Sequence, residues 1–140
     1  MYLVDTNIIS ELRKKNPNKG VKKFFTSAQV ENNRIFISVI TLGELRRGVE
    51  LIRYRGDIKQ ANSLEAWLQQ LVDEYSDYFL SLTPDIAQVW GKLRIPRYEN
   101  ALDKQIAATA LIYNLILVTR NTPDFEGMGV ELLNPFETIN

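Results

Sequence analysis

The chain has 140 residues, 45% hydrophobic and 24% charged, and its 17 basic and 17 acidic side chains cancel to zero net charge. That length suits one domain able to bury about two-thirds of the surface its unfolded form exposes. The balanced charge excludes recognition of nucleic acid by bulk charge, though not by a local basic patch. Cysteine and histidine are both absent, which excludes disulfides, thiolate metal sites and any Ser-His or Cys-His machinery, so acid–base or metal chemistry must rest on carboxylates, lysine, tyrosine or bound water.

In chain order, residues 1–5 read as a short buried strand that ends on Asp5, and residues 6–14 as a short helix with Ile8, Ile9 and Leu12 on one side. "NPNKG" (16–20) is a turn by its Asn, Pro and Gly content. A helix over 20–32 carries Val21, Phe24, Phe25 and Ala28. "RIFIS" (34–38) is a strand, and Ser38 caps a helix from Val39 to about Tyr54. After the break at Gly56-Asp57, residues 58–75 space Leu64, Trp67, Leu68, Leu71, Val72 and Tyr75 by threes and fours, as a long amphipathic helix does. "YFLSL" (78–82) is a strand, and Thr83-Pro84 opens the next helix. "RIPRYEN" (94–100) is a loop, residues 101–113 a helix and "LILVT" (115–119) a buried strand. "NTPDFEGMG" (121–129) is a turn-rich loop, and "VELLNPF" (130–136) supplies a last strand.

Short apolar strands alternating with helices predict an α/β sandwich around a short, mainly parallel sheet flanked by helices, a single domain over residues 1–140. No repeat, low-complexity stretch or linker divides it. No apolar run approaches the ~20 residues of a membrane helix. With no basic leader before an apolar stretch either, the cytoplasm is the expected location.

Functional residues of such sheets gather at the carboxyl ends of the strands, where Asp5 and the segment 120–124 fall. In "SVITLGELRRGVELI" Glu44 stacks between Ile40 and Gly48, beside the apolar row Leu45, Val49 and Ile52. In "NALDKQIAATALIY" Asp103 is followed at three, four and seven by Ile106, Ala107 and Ala110, whose small side chains bring the helix close to the sheet. Each acid also has a plain structural reading. Asp5 can cap the helix from Thr6, Asn100 and Asp103 can form a capping box, Glu44 can pair with Arg46, Arg47 or a distant arginine, and Asp124 can sit in the first turn after a Thr122 cap. Together they predict a cluster of carboxylates whose mutual repulsion calls for a cation. Ligands restricted to oxygen point to Mg²⁺ or Mn²⁺, the ions that activate water and stabilise the leaving oxygen in phosphodiester chemistry.

The stretches "MYLVDTNIIS", "ISVITLGELRRGV", "LDKQIAATALIYNLILVTRNTPDF" and "GVELLNPF" resemble the PIN-domain ribonucleases, in particular the VapC-type toxins of bacterial toxin–antitoxin pairs. The resemblance spans nearly the whole chain in family order. It implies a PIN-like three-layer fold and Mg²⁺- or Mn²⁺-dependent endonucleolytic cleavage of RNA, with Asp5, Glu44 and Asp103 as core acids and metal ligands. It also implies Thr6, Asn7 and Thr119 as hydrogen-bonding residues around them, a homodimer and a cognate VapB-like antitoxin. Many PIN domains carry an aspartate after "TR"; this chain has Asn121 there and Asp124 three residues on, so both stand as candidates for the fourth catalytic position.

Positive charge to meet RNA phosphates is available near the N-terminus, at Arg13, Lys14, Lys15, Lys19, Lys22 and Lys23, and near the proposed acids at Arg46, Arg47, Arg94, Arg97 and Arg120. The stripe Trp67, Leu68, Leu71 and Tyr75 reads as core or dimer packing before base stacking. Two other classes remain open. A haloacid-dehalogenase-like phosphatase also starts with a strand and an Asp, but needs a second Asp where Asn7 stands, and a receiver domain needs an acidic pair that is absent. A degenerate PIN fold that binds RNA or protein without cutting is suggested by Asn121 alone.

Overall fold

A computed structural model describes residues 1–137. Its strands are β1 (Tyr2–Val4), β2 (Ile35–Ser38), β3 (Phe79–Leu80), β4 (Ile116–Val118) and β5 (Leu132–Leu133). Its helices are α1 (Thr6–Leu12), α2 (Lys19–Val30), α3 (Val39–Tyr54), α4 (Ile58–Glu74), α5 (Pro84–Leu93) and α6 (Ala101–Tyr113). The sheet runs β3-β2-β1-β4-β5 with every pairing parallel. In register, Leu3 lies opposite Phe36 and Leu117, and Val4 opposite Val118. The chain moves from β1 outward through β2 and β3, then returns to the other side of β1 for β4. The strand order therefore reverses between β1 and β4, where open α/β sheets form their ligand crevice.

Alternation along the strands creates two cores. Val4, Ile37 and Val118 face one side and pack with Ile8 and Ile9 of α1, Val21 of α2, Leu45 and Val49 of α3, and Leu68 and Leu71 of α4. Leu3 and Leu117 face the other side and pack with Ile106, Ala107 and Ala110 of α6 and with Phe125. The result is the expected three-layer arrangement, in which each fully buried aliphatic side chain contributes roughly 1.5–3 kcal/mol. The stripe on α4 belongs to the first core: Leu68 and Leu71 are buried, with Trp67 and Tyr75 packed against them.

Helix starts follow the sequence signals. Asn18 accepts from the Gly20 and Val21 N–H groups, Ser38 Oγ from the Ile40 N–H, and Thr83 Oγ1 from the Ile86 N–H ahead of Pro84. Four expectations need correction. The end strands β3 and β5 are only two residues long, because the sheet edges offer one partner each. The first helix stops at Leu12, before the run of basic residues. The segment read as a loop at 121–129 contains a 3-10 turn over Thr122–Phe125, and Asn121 rather than Thr122 occupies its cap position, without a side-chain cap bond. The capping box does not form: Asn100 is left-handed at φ 57° and its side chain makes no cap bond.

Candidate acidic site at the strand ends

The crevice between β1 and β4 is where the acids collect. Asp5 follows β1 directly and is only 5% exposed. Its backbone N–H donates to the Val118 carbonyl at 2.9 Å, which locks it against β4. Its Oδ1 accepts from the Thr6 N–H and its Oδ2 from Thr119 Oγ1, both at 2.8 Å. Capping and site membership therefore coexist in one carboxylate. The Thr119 hydroxyl oxygen in turn accepts from the Asn121 N–H at 3.1 Å, and Asn7 Oδ1 accepts from the Arg120 N–H at 3.2 Å. Thr6 Oγ1 donates to Glu44 Oε1 at 3.3 Å. Thr6, Asn7 and Thr119 thus stitch the end of β1 to α3 and to the segment after β4.

Glu44 and Asp103 are both half-buried, on α3 and α6. Burial pushes the Asp5 carboxyl above its ordinary value, opposed by the bonds from Thr119 and Thr6 and reinforced by the charge of Asp124. Glu44 is raised by burial and then by Asp5, with the Thr6 bond and the charge of Arg47 acting the other way. Asp103 is raised furthest, to about 6, by burial and by the charges of Asp5, Asp124 and Glu44. These four carboxylates therefore share one electrostatic field. Asp124 enters it from the 3-10 turn, anchored by the buried Phe125. Asn121 sits exposed beside the site and reaches it through its backbone N–H.

None of these four acids forms an ion pair among the described residues. Repelling carboxylates beside a buried one, with oxygen donors and no compensating lysine or arginine bonded to them, fit a hard divalent cation in charge and in donor type. Among the described residues no three acidic side chains are already drawn into a ready-made ligand set. A bound ion would draw them inward.

The basic candidates divide. Arg47 acts on Glu44 through its charge. Arg46 is turned towards α4, where it pairs with Glu50 and Glu65 at 3.1 Å each. The Arg120 guanidinium stacks over the Phe136 ring at 4.4 Å. Arg97 lies exposed in the loop before α6, its carbonyl accepting from the Lys104 ammonium. Sequence reasoning passed over Lys104, which is 6% exposed; its place next to Asp103 on a helix facing the sheet was the available signal.

Comparison with known proteins is consistent along the whole chain. A family model described as PIN domain matches residues 2–129. The chain is 31% identical over 140 residues to the plasmid stability protein StbB of Pseudomonas syringae pv. tomato, covering 98% of this chain and 99% of that one. It is 32% identical over 142 residues to Toxin FitB of Neisseria gonorrhoeae (97% and 99% covered). It is 31% identical over 141 residues to the VapC ribonuclease Y4jK of Sinorhizobium fredii (98% and 99%). Among solved structures, FitAcB from Neisseria gonorrhoeae matches with a TM-score of 0.85 at 31% identity, covering 98% of this chain and 99% of that one. VapBC2 from Rickettsia felis, bound to a promoter DNA fragment, matches with a TM-score of 0.70 at 25% identity, covering 95% and 97%.

Proposed function

This chain belongs to the PIN-domain family and is similar from end to end to VapC-type toxins, and from that premise we propose that it is a toxin endoribonuclease that hydrolyses RNA at an Mg²⁺- or Mn²⁺-loaded carboxylate site. The observation that carries the reading is the electrostatic cluster of Asp5, Glu44, Asp103 and Asp124 with no bonded cation among the described residues. A divalent ion bound there supplies the charge that offsets the carboxylates and acidifies a water for attack on phosphorus.

Asp5, Glu44 and Asp103 are the ligands in this reading, and Asp124, which contributes charge, takes the fourth place in preference to Asn121. Thr6 and Thr119 hold both Asp5 oxygens in fixed directions, which keeps the ligand preorganised. With no histidine or cysteine in the chain, carboxylates are the groups left to accept the proton of the attacking water. Among the described residues Asp5 and Glu44 are held by side-chain hydrogen bonds, whereas the carboxylates of Asp103 and Asp124 accept none and are freer to move. Arg47, whose charge acts on Glu44, and the exposed Arg97 and Arg120 are the cations this reading assigns to the RNA phosphates.

Similar solved structures include FitAB bound to DNA and a toxin–antitoxin complex from Klebsiella pneumoniae; by extension we propose that this protein takes a VapB-like antitoxin, and the resemblance to VapC-type toxins leads us to propose a homodimer acting in the cytoplasm. Among the described residues no helix is long and apolar enough to cross a membrane. The test is cleavage of a 5′-labelled structured RNA by the purified protein in Mn²⁺ or in EDTA, with the product ends identified. Attack by water leaves linear phosphate monoesters. Cyclic 2′,3′-phosphate ends, or cutting that survives EDTA, would refute the reading.

A further inference from the structure

A cavity of about 390 Å³ opens beside the acidic site, between the end of α5, the loop before α6, the start of α6 and the turn after β4. Its size is in the lower range of ligand pockets. Asp124 lines its edge, so it adjoins the carboxylate cluster directly. Its lining includes three cationic side chains, Lys92, Arg97 and Lys104, and the apolar Leu93, Ile95, Pro96 and Met128. Glu99, Asn100 and Glu126 complete the rim.

Lys104 is the unusual member. It is more than nine-tenths buried, and it forms no ion pair among the described residues. Its ammonium has three donors, and the Arg97 carbonyl takes one of them. A buried ammonium with donors to spare is costly unless a ligand completes it. No acid of the catalytic cluster forms an ion pair with it among the described residues.

We propose that this cavity seats the nucleotide next to the scissile phosphate, with its phosphate on Lys104, Lys92 and Arg97 and its base on the apolar side chains of the lining. The inference rests on the RNA-cleaving reading above and deepens it by assigning a specificity pocket. Phosphate on lysine and arginine gives charge-assisted bonds that position the strand. Leu93 and Met128, half-buried against the second core, offer a base an apolar surface. Carboxylates accept and do not donate, so Glu99 and Glu126 favour guanine, which presents its N1–H and its exocyclic amino group on one edge; adenine and cytosine set an acceptor beside the amino group, and uracil presents a ring N–H alone.

The test uses the full chain in EDTA, so that nothing is cut. The four nucleoside 5′-monophosphates and inorganic phosphate are titrated separately and followed by backbone amide NMR. The expected shifts are confined to residues 92–104 and 124–128, with guanosine monophosphate the tightest nucleotide and inorganic phosphate weaker than all four. Lys104→Met weakens binding by about tenfold or more. Because that variant removes a buried group, the exposed Lys92→Ala and Glu126→Gln are measured beside it; the first weakens all four nucleotides, the second narrows the margin of guanosine over the others. Equal binding of phosphate and nucleotides, shifts elsewhere, or indifference to both exposed substitutions would overturn the proposal. Failure to cut RNA with metal present, alongside specific nucleotide binding here, would instead sink the ribonuclease reading and leave the pocket standing.

Discussion

Replacing Asp103 by asparagine should make the metal-free protein more stable at neutral pH. In the folded chain this carboxyl is lifted from its ordinary 3.8 to about 6 by burial and by Asp5, Asp124 and Glu44. The folded state therefore holds a proton that the unfolded state has released between those two values, and stability falls as pH rises through that window. At full strength the rise corresponds to about 3 kcal/mol. Solvent screens a half-buried group, which brings the expected penalty to about 1 kcal/mol. Asparagine keeps the shape and carries no charge. In EDTA at pH 7.5, Asp103→Asn should melt roughly 3–4 °C above the parent chain, and the gap should close towards pH 3.5. Added Mn²⁺ should reverse the order, because the ion stabilises the chain that binds it. Thermal melts across pH, with and without Mn²⁺, measure all of this. A variant that melts lower in EDTA at pH 7.5, or a gap that ignores pH, would refute the electrostatic reasoning.

Thr119→Val removes the hydroxyl that donates to Asp5 Oδ2 and accepts from the Asn121 N–H. Urea unfolding should show a loss of about 1–3 kcal/mol, and NMR titration should find the Asp5 carboxyl raised further. Phe125→Ala empties a 1%-exposed site beneath the turn that carries Asp124. It should cost about 3–5 kcal/mol by the same measurement. Ala107→Leu forces α6 away from the sheet at a fully buried position and should destabilise by about 1–3 kcal/mol.

Much of this architecture was legible in the sequence because the signals were local. Buried strands announce themselves as apolar runs, and Asp5, Glu44 and Asp103 stood out as charges set against such runs or against the packing face of a helix. The 3-10 turn was not legible, because Thr122-Pro123-Asp124 suits a loop or a cap equally well. What decides between them is Phe125 inserting into the second core, a long-range contact. That insertion also brings the charge of Asp124 to Asp5 and Asp103, an interaction that spacing, which left Asp124 and Asn121 both as candidates, did not reveal. The capping box failed for a related reason: Asn100 takes a left-handed turn to bring the 94–100 loop onto α6, and its side chain leaves the cap. Arg46 looked like a phosphate contact by proximity to Glu44 in sequence, but its partners are Glu50 one turn on and Glu65 on the neighbouring helix. Lys104 carried one sequence signal, its place next to Asp103 on a helix facing the sheet, but helical lysines are ordinarily solvated, and only the packing shows that it is buried.

The central claim is that Asp5 anchors a metal-loaded site that cuts RNA. Asp5→Asn tests it with the least disturbance, since the amide oxygen can still accept from the Thr6 N–H and the amide nitrogen can donate to Thr119. Cleavage rates of one defined RNA in Mn²⁺ are compared for the parent chain and this variant. The parent should cut in Mn²⁺ and stop in EDTA, with Asp5→Asn slower by about a hundredfold or more. Cleavage by Asp5→Asn at the parental rate would contradict the account.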